Sequence, residues 1–328
     1  MEKRAQTTQA SYYGTDIKGL RDVRKRRLPI RTESLTQLAS GEIRAAVTVI
    51  SGSAGSIYHA RVRAPGASTL ADLDPAYTGI VIPLSWDGRF VINGENVCAS
   101  SIYTPVDDTF FQVFGRNRET VAVALRREEF VATIAALKGI DPDEVQLGGG
   151  SIEVPPAAFA PLRHSLVSNL KDHINADRRR ALPPEAHDIL ARSIVETITD
   201  LYLHARPAPT RRVRAAAKLG RIVRKAEERF DSAQSEPVSL ADLCAAAGVS
   251  QGTLHNAFMT MCGNSPMAHF KKRRLTDARL ALLEPNPNRR LVKSAALDSG
   301  LTHLGRFSAE YREFFGESPT TTLNRRSS

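Results

Sequence analysis

Among the side chains able to do chemistry, the cations show the clearest pattern. Residues 206–328 hold 21 Lys and Arg against 11 Asp and Glu, whereas residues 1–205 balance at 24 of each. The whole formal charge of +10 therefore sits in the last 123 of 328 residues. Concentrating cations in this way favours a polyanion partner, because each phosphate met by Lys or Arg releases condensed counterions. On charge alone, a merely soluble basic domain is the alternative. Redox and metal chemistry find less support. Cys98, Cys244 and Cys262 lie far apart with no CxxC spacing, which suggests neither a disulfide framework nor a zinc site and fits a reducing cytosol. His59 stands alone in its strand-like run, no HxH occurs, and His164, His173 and His187 fall in helical stretches. No metal or other cofactor is expected. The start, MEKRAQTTQA, has no apolar core, and no run of about 18 apolar residues occurs. The expectation is a cytoplasmic chain with no membrane span.

The elements that must position the cations repeat. One copy reads Cys244-Ala245-Ala246-Ala247-Gly248-Val249-Ser250, then Leu254, Phe258, Gly263 and Ser265-Pro266. The other reads Ala296-Leu297-Asp298-Ser299-Gly300-Leu301-Thr302, then Phe307, Tyr311, Gly316 and Ser318-Pro319. The offset is 52 residues up to the turn and 53 after it. This is a duplicated supersecondary unit. Small residues before each glycine let two helices approach, and the glycine supplies the freedom that a tight interhelical turn requires. Ser250 and Thr302 lie where a hydroxyl can cap the next helix, and Ser239 with Asp242 has capping-box spacing. Leu254 with Phe258, and Phe307 with Tyr311, are four apart and bury one face, which frees the opposite face. Each Ser-Pro pair sets a capping serine before a proline suited to the first helical turn. Between the copies, Pro266 to Leu283 reads as one helix with the basic cluster Lys271-Lys272-Arg273-Arg274.

Over about residues 210–323 this arrangement resembles the DNA-binding domain of the AraC/XylS family of transcription regulators. His303-Leu304-Gly305-Arg306-Phe307-Ser308, leading to Phe315-Gly316-Glu317-Ser318-Pro319, is especially close to that family's signature. The resemblance implies that the second helix of each unit enters the major groove of double-stranded DNA, where base edges are distinguishable. It places Gln251, Gly252, Thr253, His255 and Asn256 on the groove face of the first unit. His255 and Asn256 are the candidates for base contacts, Asn256 through a two-point bond to adenine. The matching face of the second unit is Leu304, Gly305, Ser308 and Ala309, poor in donors and suited to shape or thymine methyls. Arg306 is expected on phosphate, or else packed along the helix. Lys271 and Arg274 are read as positioning the DNA backbone, on a helix that fixes the separation of the two units.

The N-terminal half has a different texture. Residues 1–32 carry nine basic and three acidic residues and read as a mobile arm. Strand-like runs follow at 45–50, 57–62, 79–84, 90–92, 109–113 and 120–125, rich in Val, Ile, Phe and Thr. Asn93-Gly94 between such runs is a strong hairpin signal. Many short strands without intervening helices argue for a small barrel or sandwich. Leu162, Leu166, Leu170 and Ile174, then Leu190, Ile194, Ile198 and Leu201, mark two helices. Arg206-Pro207-Ala208-Pro209-Thr210 reads as a linker. The chain should thus be α+β: an arm over 1–32, a sensing and dimerisation domain over 33–205, a linker over 206–210 and an all-α DNA-binding domain over 211–328. The resemblance makes the sensing domain a cupin-like β-barrel followed by two helices. It implies an activator, dimeric, controlled by a small-molecule effector and touching RNA polymerase. A metal-dependent cupin enzyme fused to a DNA-binding domain is the alternative, and it lacks the clustered ligands such an enzyme needs.

Overall fold

The computed structural model describes residues 8–14, 17–63, 67–105, 110–147, 149–178, 183–207, 210–284 and 291–325. In chain order the N-terminal part runs β1 (Thr8–Gly14), α1 (Ile17–Arg27), β2 (Ile30–Gln37), β3 (Arg44–Gly52), β4 (Gly55–Arg63), β5 (Ala67–Leu73), β6 (Tyr77–Ile92), β7 (Glu95–Asn96), β8 (Ser101–Thr104) and β9 (Phe110–Arg126). It continues with α2 (Arg127–Lys138), a 3-10 turn at Pro142–Glu144, β10 (Gly150–Glu153), α3 (Pro156–Arg178), α4 (Pro184–His204) and β11 (Arg206–Pro207). Seven helices follow: α5 (Thr210–Ser232), α6 (Leu240–Ala247), α7 (Gln251–Cys262), α8 (Pro266–Leu283), α9 (Val292–Asp298), α10 (Leu304–Phe315) and α11 (Pro319–Asn324).

The sheet is antiparallel, with the order β1-β3-β4-β9-β6-β8-β10-β11. β9 forks it: residues 118–124 pair with β4, residues 110–115 pair with β5, and β6 lies along nearly its whole length. Among the described residues this path does not close on itself, so the expected closed barrel is replaced by an open, branched sheet. Four of the expected short strands merge into two long ones, since the runs at 79–84 and 90–92 both lie in β6 and those at 109–113 and 120–125 fall on β9 from Phe110 onward. The break signals between them are absorbed as register shifts at Pro83/Ser85 and Asp87/Phe90. The Asn93-Gly94 hairpin forms as read, with φ of 52° and 79°.

Alternation along β6 and β9 divides the core. Ile80, Ile82, Val121, Val123 and Leu125 point to one face and pack with Leu166 and Leu170 of α3 and Ile194, Ile198 and Leu201 of α4. The opposite side of the sheet gathers Val47, Val49, Tyr58, Ala60 and Val62 with Ile17 and Leu20 of α1. That packing corrects the reading of residues 1–32 as an arm. β1 is paired with β3 over seven residues, and Ile17 and Leu20 are 1% and 2% exposed. Two buried apolar residues on an otherwise basic helix are too weak a periodic signal to be seen in sequence. The linker also shortens, because Arg206 and Pro207 pair with Glu153 and Ile152 of β10. Residues 208–209 lie outside the described residues.

Candidate DNA-binding interface

The first unit is α6 and α7. Ser239 accepts a bond from the amide of Asp242 at 3.1 Å while Asp242 Oδ2 accepts from the amide of Ser239 at 2.8 Å, so the capping box is complete. Gly248 turns the chain at φ 66°, a left-handed conformation that a Cβ disfavours. Ser250 then caps α7 by accepting from the Thr253 amide at 3.3 Å. Leu254, Ala257, Phe258 and Met261 bury one face of α7 completely. Gln251, Gly252, His255 and Asn256 are exposed on the other face, with Thr253 half-buried beside its cap.

The second unit repeats this with differences. Gly300 turns at φ 72° between α9 and α10. Thr302 does not cap α10; the N-cap position belongs to His303, whose side chain makes no capping bond. The residue inserted after the turn shifts the hydroxyl out of reach. Ser265 also makes no side-chain cap for α8, where Pro266 at the first position already lacks an amide hydrogen. Ser318 does cap α11, through the Thr321 amide at 3.1 Å. Phe307 and Tyr311 are buried, while Gly305, Arg306, Ser308 and Ala309 are exposed and Leu304 is half-buried. The structure thus exposes Gln251, Gly252, His255 and Asn256 on α7 and Gly305, Arg306, Ser308 and Ala309 on α10, whereas Thr253 stays by its cap and Leu304 packs against the core of the second unit.

It does not leave the basic cluster of α8 free. Lys271 bonds Glu310 of α10 at 2.8 Å, and Arg306 bonds the same Glu310 oxygen at 2.8 Å. Glu310 lies below the usual carboxylate range: burial pushes it up, but bonds from Lys271 and Arg306 pull it down further. Lys272 donates to Asn264 Oδ1 at 2.6 Å. Arg273 is largely shielded, its side chain 11% exposed, and is paired with Glu227 and with Asp231, both on α5. Arg274 donates to the carbonyls of Gly300 at 2.6 Å and Glu236 at 2.8 Å. Assignment of Arg274 to the DNA backbone is therefore corrected: its fork is spent on the protein's own carbonyls. Only Lys271 of the four is exposed.

Sequence reasoning missed the buried network behind these helices. His269 of α8 has no exposure and sits 2.7 Å from Glu227 Oε1. Burial, and then the charge of Lys272, depress its pKa to about 3, so the ring stays neutral and donates from Nε2. Arg279 pairs with Glu317 at 2.8 Å and lies 3.3 Å from the Tyr311 hydroxyl. Partners 42 and 38 residues apart in sequence leave no local signal.

In the N-terminal part, a mostly apolar cavity of about 100 Å³ opens between α1 and the strands, walled by Leu20, Tyr58, Leu73, Val81 and Phe111 with Arg118 among the lining. Arg118 is 6% exposed and donates to the Gly115 carbonyl at 2.9 Å. Nearby, Glu119 accepts from His59 at 2.9 Å and Arg61 at 2.9 Å. The His59 bond, opposed by burial and aided by Arg61, brings its carboxyl down to about 2. His173 and His187 face each other across α3 and α4 at 2.6 Å. Among the described residues no group of three or more His, Cys, Asp and Glu is placed to hold a metal.

A family model described as a helix-turn-helix domain matches residues 243–325. The chain is 40% identical over 86 residues to the XylDLEGF operon transcriptional activator of Pseudomonas putida, covering 26% of this chain and 27% of that protein. It is 30% identical over 159 residues to a probable thc operon regulatory protein of Rhodococcus erythropolis, covering 48% of this chain and 47% of that one. A solved transcriptional regulator of AraC type from Chromobacterium violaceum is 24% identical, with 32% of this chain and 92% of that chain covered at a TM-score of 0.30. The chain spans about a quarter of the length of the first of these relatives. With two units in register, each turned on a left-handed glycine, the C-terminal region has the form of a helix-turn-helix domain, and it is this part that the family model matches.

Proposed function

We propose that this chain is a sequence-specific DNA-binding transcription regulator, an activator, that reads DNA through residues 211–328 and takes a small organic effector in the cupin-like region between residues 33 and 205. The observation that carries the reading is the outward face of α7. His255 and Asn256 project there from a helix whose other face is fully buried and whose start is capped, so the side chains are held on a rigid element. On α10, Ser308 and Ala309 are exposed at the equivalent positions. The proteins similar to this domain carry names of an activator and of regulatory proteins, and the enzyme alternative has no support from them.

The effector part of the reading rests on the cavity beside α1. Its small volume and apolar walls suit a compact molecule with few polar atoms. Occupancy would act on α1, which supplies Leu20 to the wall and whose Arg21 bonds Glu284 just beyond α8 at 2.9 Å. Dimerisation and contact with RNA polymerase belong to the same proposal. No helix among the described residues is long and apolar enough to cross a membrane.

Selection of full-length protein on randomised duplexes tests the function. We expect an enriched site of about 15 to 20 base pairs, with two half-sites about one helical turn apart. Affinity should fall by orders of magnitude between about 50 and 200 mM salt if about six phosphates are engaged. Absence of binding at low salt, or binding with no enriched sequence, would overturn it.

A further inference from the structure

Two groove helices can read one site only if their separation matches the groove, so whatever fixes that separation also chooses the DNA. α8 runs from one unit into the other, but a single helix bends. A second constraint is built across the gap. Arg274, at the middle of α8, gives Nη1 to the carbonyl of Gly300 in the turn of the second unit and Nη2 to the carbonyl of Glu236 in the segment leading into the first, at 2.6 and 2.8 Å. A guanidinium is planar and its donors are fixed in one fork, so both carbonyls are held in a common plane. The group also lies 5.2 Å from the ring centre of Phe230, which closes α5. Its neighbour Arg273 makes its ion pairs among the described residues to Glu227 and Asp231 of α5 and to Asp277 of its own helix.

The two turn glycines show that this contact is specific to one unit. A Cβ added at Gly248 would meet open space, whereas one at Gly300 would collide with the Arg274 guanidinium and come within 2.8 Å of the Ser235 carbonyl. Gly248 is thus required by its positive φ alone, and Gly300 by both φ and close approach.

We infer that Arg274 is a positioning residue that sets the spacing of the two groove helices, and with it the number of base pairs that the regulator demands between its half-sites. This rests on the DNA-binding reading above. One extra base pair moves the second half-site by about 3.4 Å and about a tenth of a turn, which a braced pair of units cannot follow without losing contacts.

The test uses full-length protein and the duplex that wild type selects, remade with the spacer one base pair shorter and one longer. Wild type should lose about tenfold or more in affinity on either altered spacer. Arg274→Met should lose about threefold or less on the same change, and keep wild-type affinity for a duplex carrying only the first half-site. Arg274→Lys keeps the charge and the stem but not the planar fork, so it should relax the spacer in the same direction if Arg274→Met fails to fold. An Arg274→Met profile that falls equally on every spacer would instead mark a phosphate contact, and one that keeps the wild-type profile would show that α8 alone sets the distance; either overturns the inference. A wild type that binds DNA but is indifferent to spacing sinks this inference alone, while one that selects no sequence sinks the DNA-binding reading too.

Discussion

At the residue scale, the first unit holds the stronger donors and should carry the stricter part of the recognition. Asn256 is exposed beside the buried Ala257 and Phe258, so replacing it changes no packing. Asn256→Ala should cost about 1 to 3 kcal/mol on the best site and relax preference at one base pair, because a two-point bond is lost. Repeating the site selection with the variant checks this, and an unchanged profile would show the face to be misassigned. Lys271 offers the contrast. It is half-exposed and its ion pair with Glu310 is of the surface kind, so phosphate can compete for it. Lys271→Ala should weaken all sequences alike and lower the salt slope by about one. A different residue governs acid stability. Glu119 has its folded pKa depressed from 4.5 to about 2, so it contributes stability above pH 4.5 that is lost as pH falls toward 2. Glu119→Gln should remove about 1 to 2 kcal/mol at neutral pH, after allowing for solvent screening, and flatten that part of the acid limb. Urea titrations at several pH values would read both effects.

At the scale of elements, the two units differ in how their helices begin. α6 and α7 each start on a serine that satisfies an otherwise orphan amide, whereas α10 starts on His303 with no such bond. Ser239→Ala should therefore destabilise the chain by about 1 kcal/mol, and Thr302→Ala should stay within about 0.5 kcal/mol. Chemical denaturation of the two variants separates them; a Thr302 effect as large as that of Ser239 would mean that the hydroxyl caps α10 after all. The missing cap has a local origin. The 53-residue offset after the turn places Thr302 one position too early. Elsewhere, long strands replace pairs of short ones because β9 must serve β4, β5 and β6 at once. A strand with three partners is specified by its neighbours and not by its own alternation.

At the scale of the molecule, the N-terminal part docks on the DNA-binding domain without covering its outward faces. The amide of Gln37 bonds Thr276 of α8 at 3.2 Å, and Leu280 of α8 sits in the core cluster of the sheet at 4% exposure. The Gly94 turn lies against Met261 and Phe114 against Gly263, at the far end of α7 from His255 and Asn256. The Gly41 amide bonds the carbonyl of Phe314 near the end of α10 at 3.1 Å. Docking thus meets the C-terminal halves of α7, α8 and α10, together with the start of α5 where Arg212 pairs with Glu95, and leaves the N-terminal halves of α7 and α10 uncovered by these contacts. Leu280→Ala should cost about 2 to 4 kcal/mol in the full chain and little in a fragment of residues 207–328, where its cavity does not exist. That fragment should still bind DNA with a steep salt dependence. Equal loss in both contexts would place Leu280 in the core of the DNA-binding domain, and a fragment that binds nothing at low salt would make docking a condition of recognition.

The duplicated turn, its glycines, the capping serines of α6 and α7 and the exposure of His255, Asn256, Ser308 and Ala309 were legible from sequence, because each depends on residues within one helical turn or one tight loop. So were the Asn93-Gly94 hairpin and the two helices after the sheet, whose signals have the period of the element itself. Tertiary structure alone decided the rest. It turned residues 8–14 and 17–27 from an arm into an edge strand and a packed helix, since pairing with β3 and burial of Ile17 and Leu20 are supplied from outside the segment. It left the sheet path open where a closed barrel was expected, because closure is a property of strand partners far apart in the chain. It also took Arg273 and Arg274 out of the surface charge and gave them to Glu227, Asp231 and two backbone carbonyls. Charge can be counted along a sequence, but a cation binds DNA only if the fold has not already paired it, and pairing depends on distance in space.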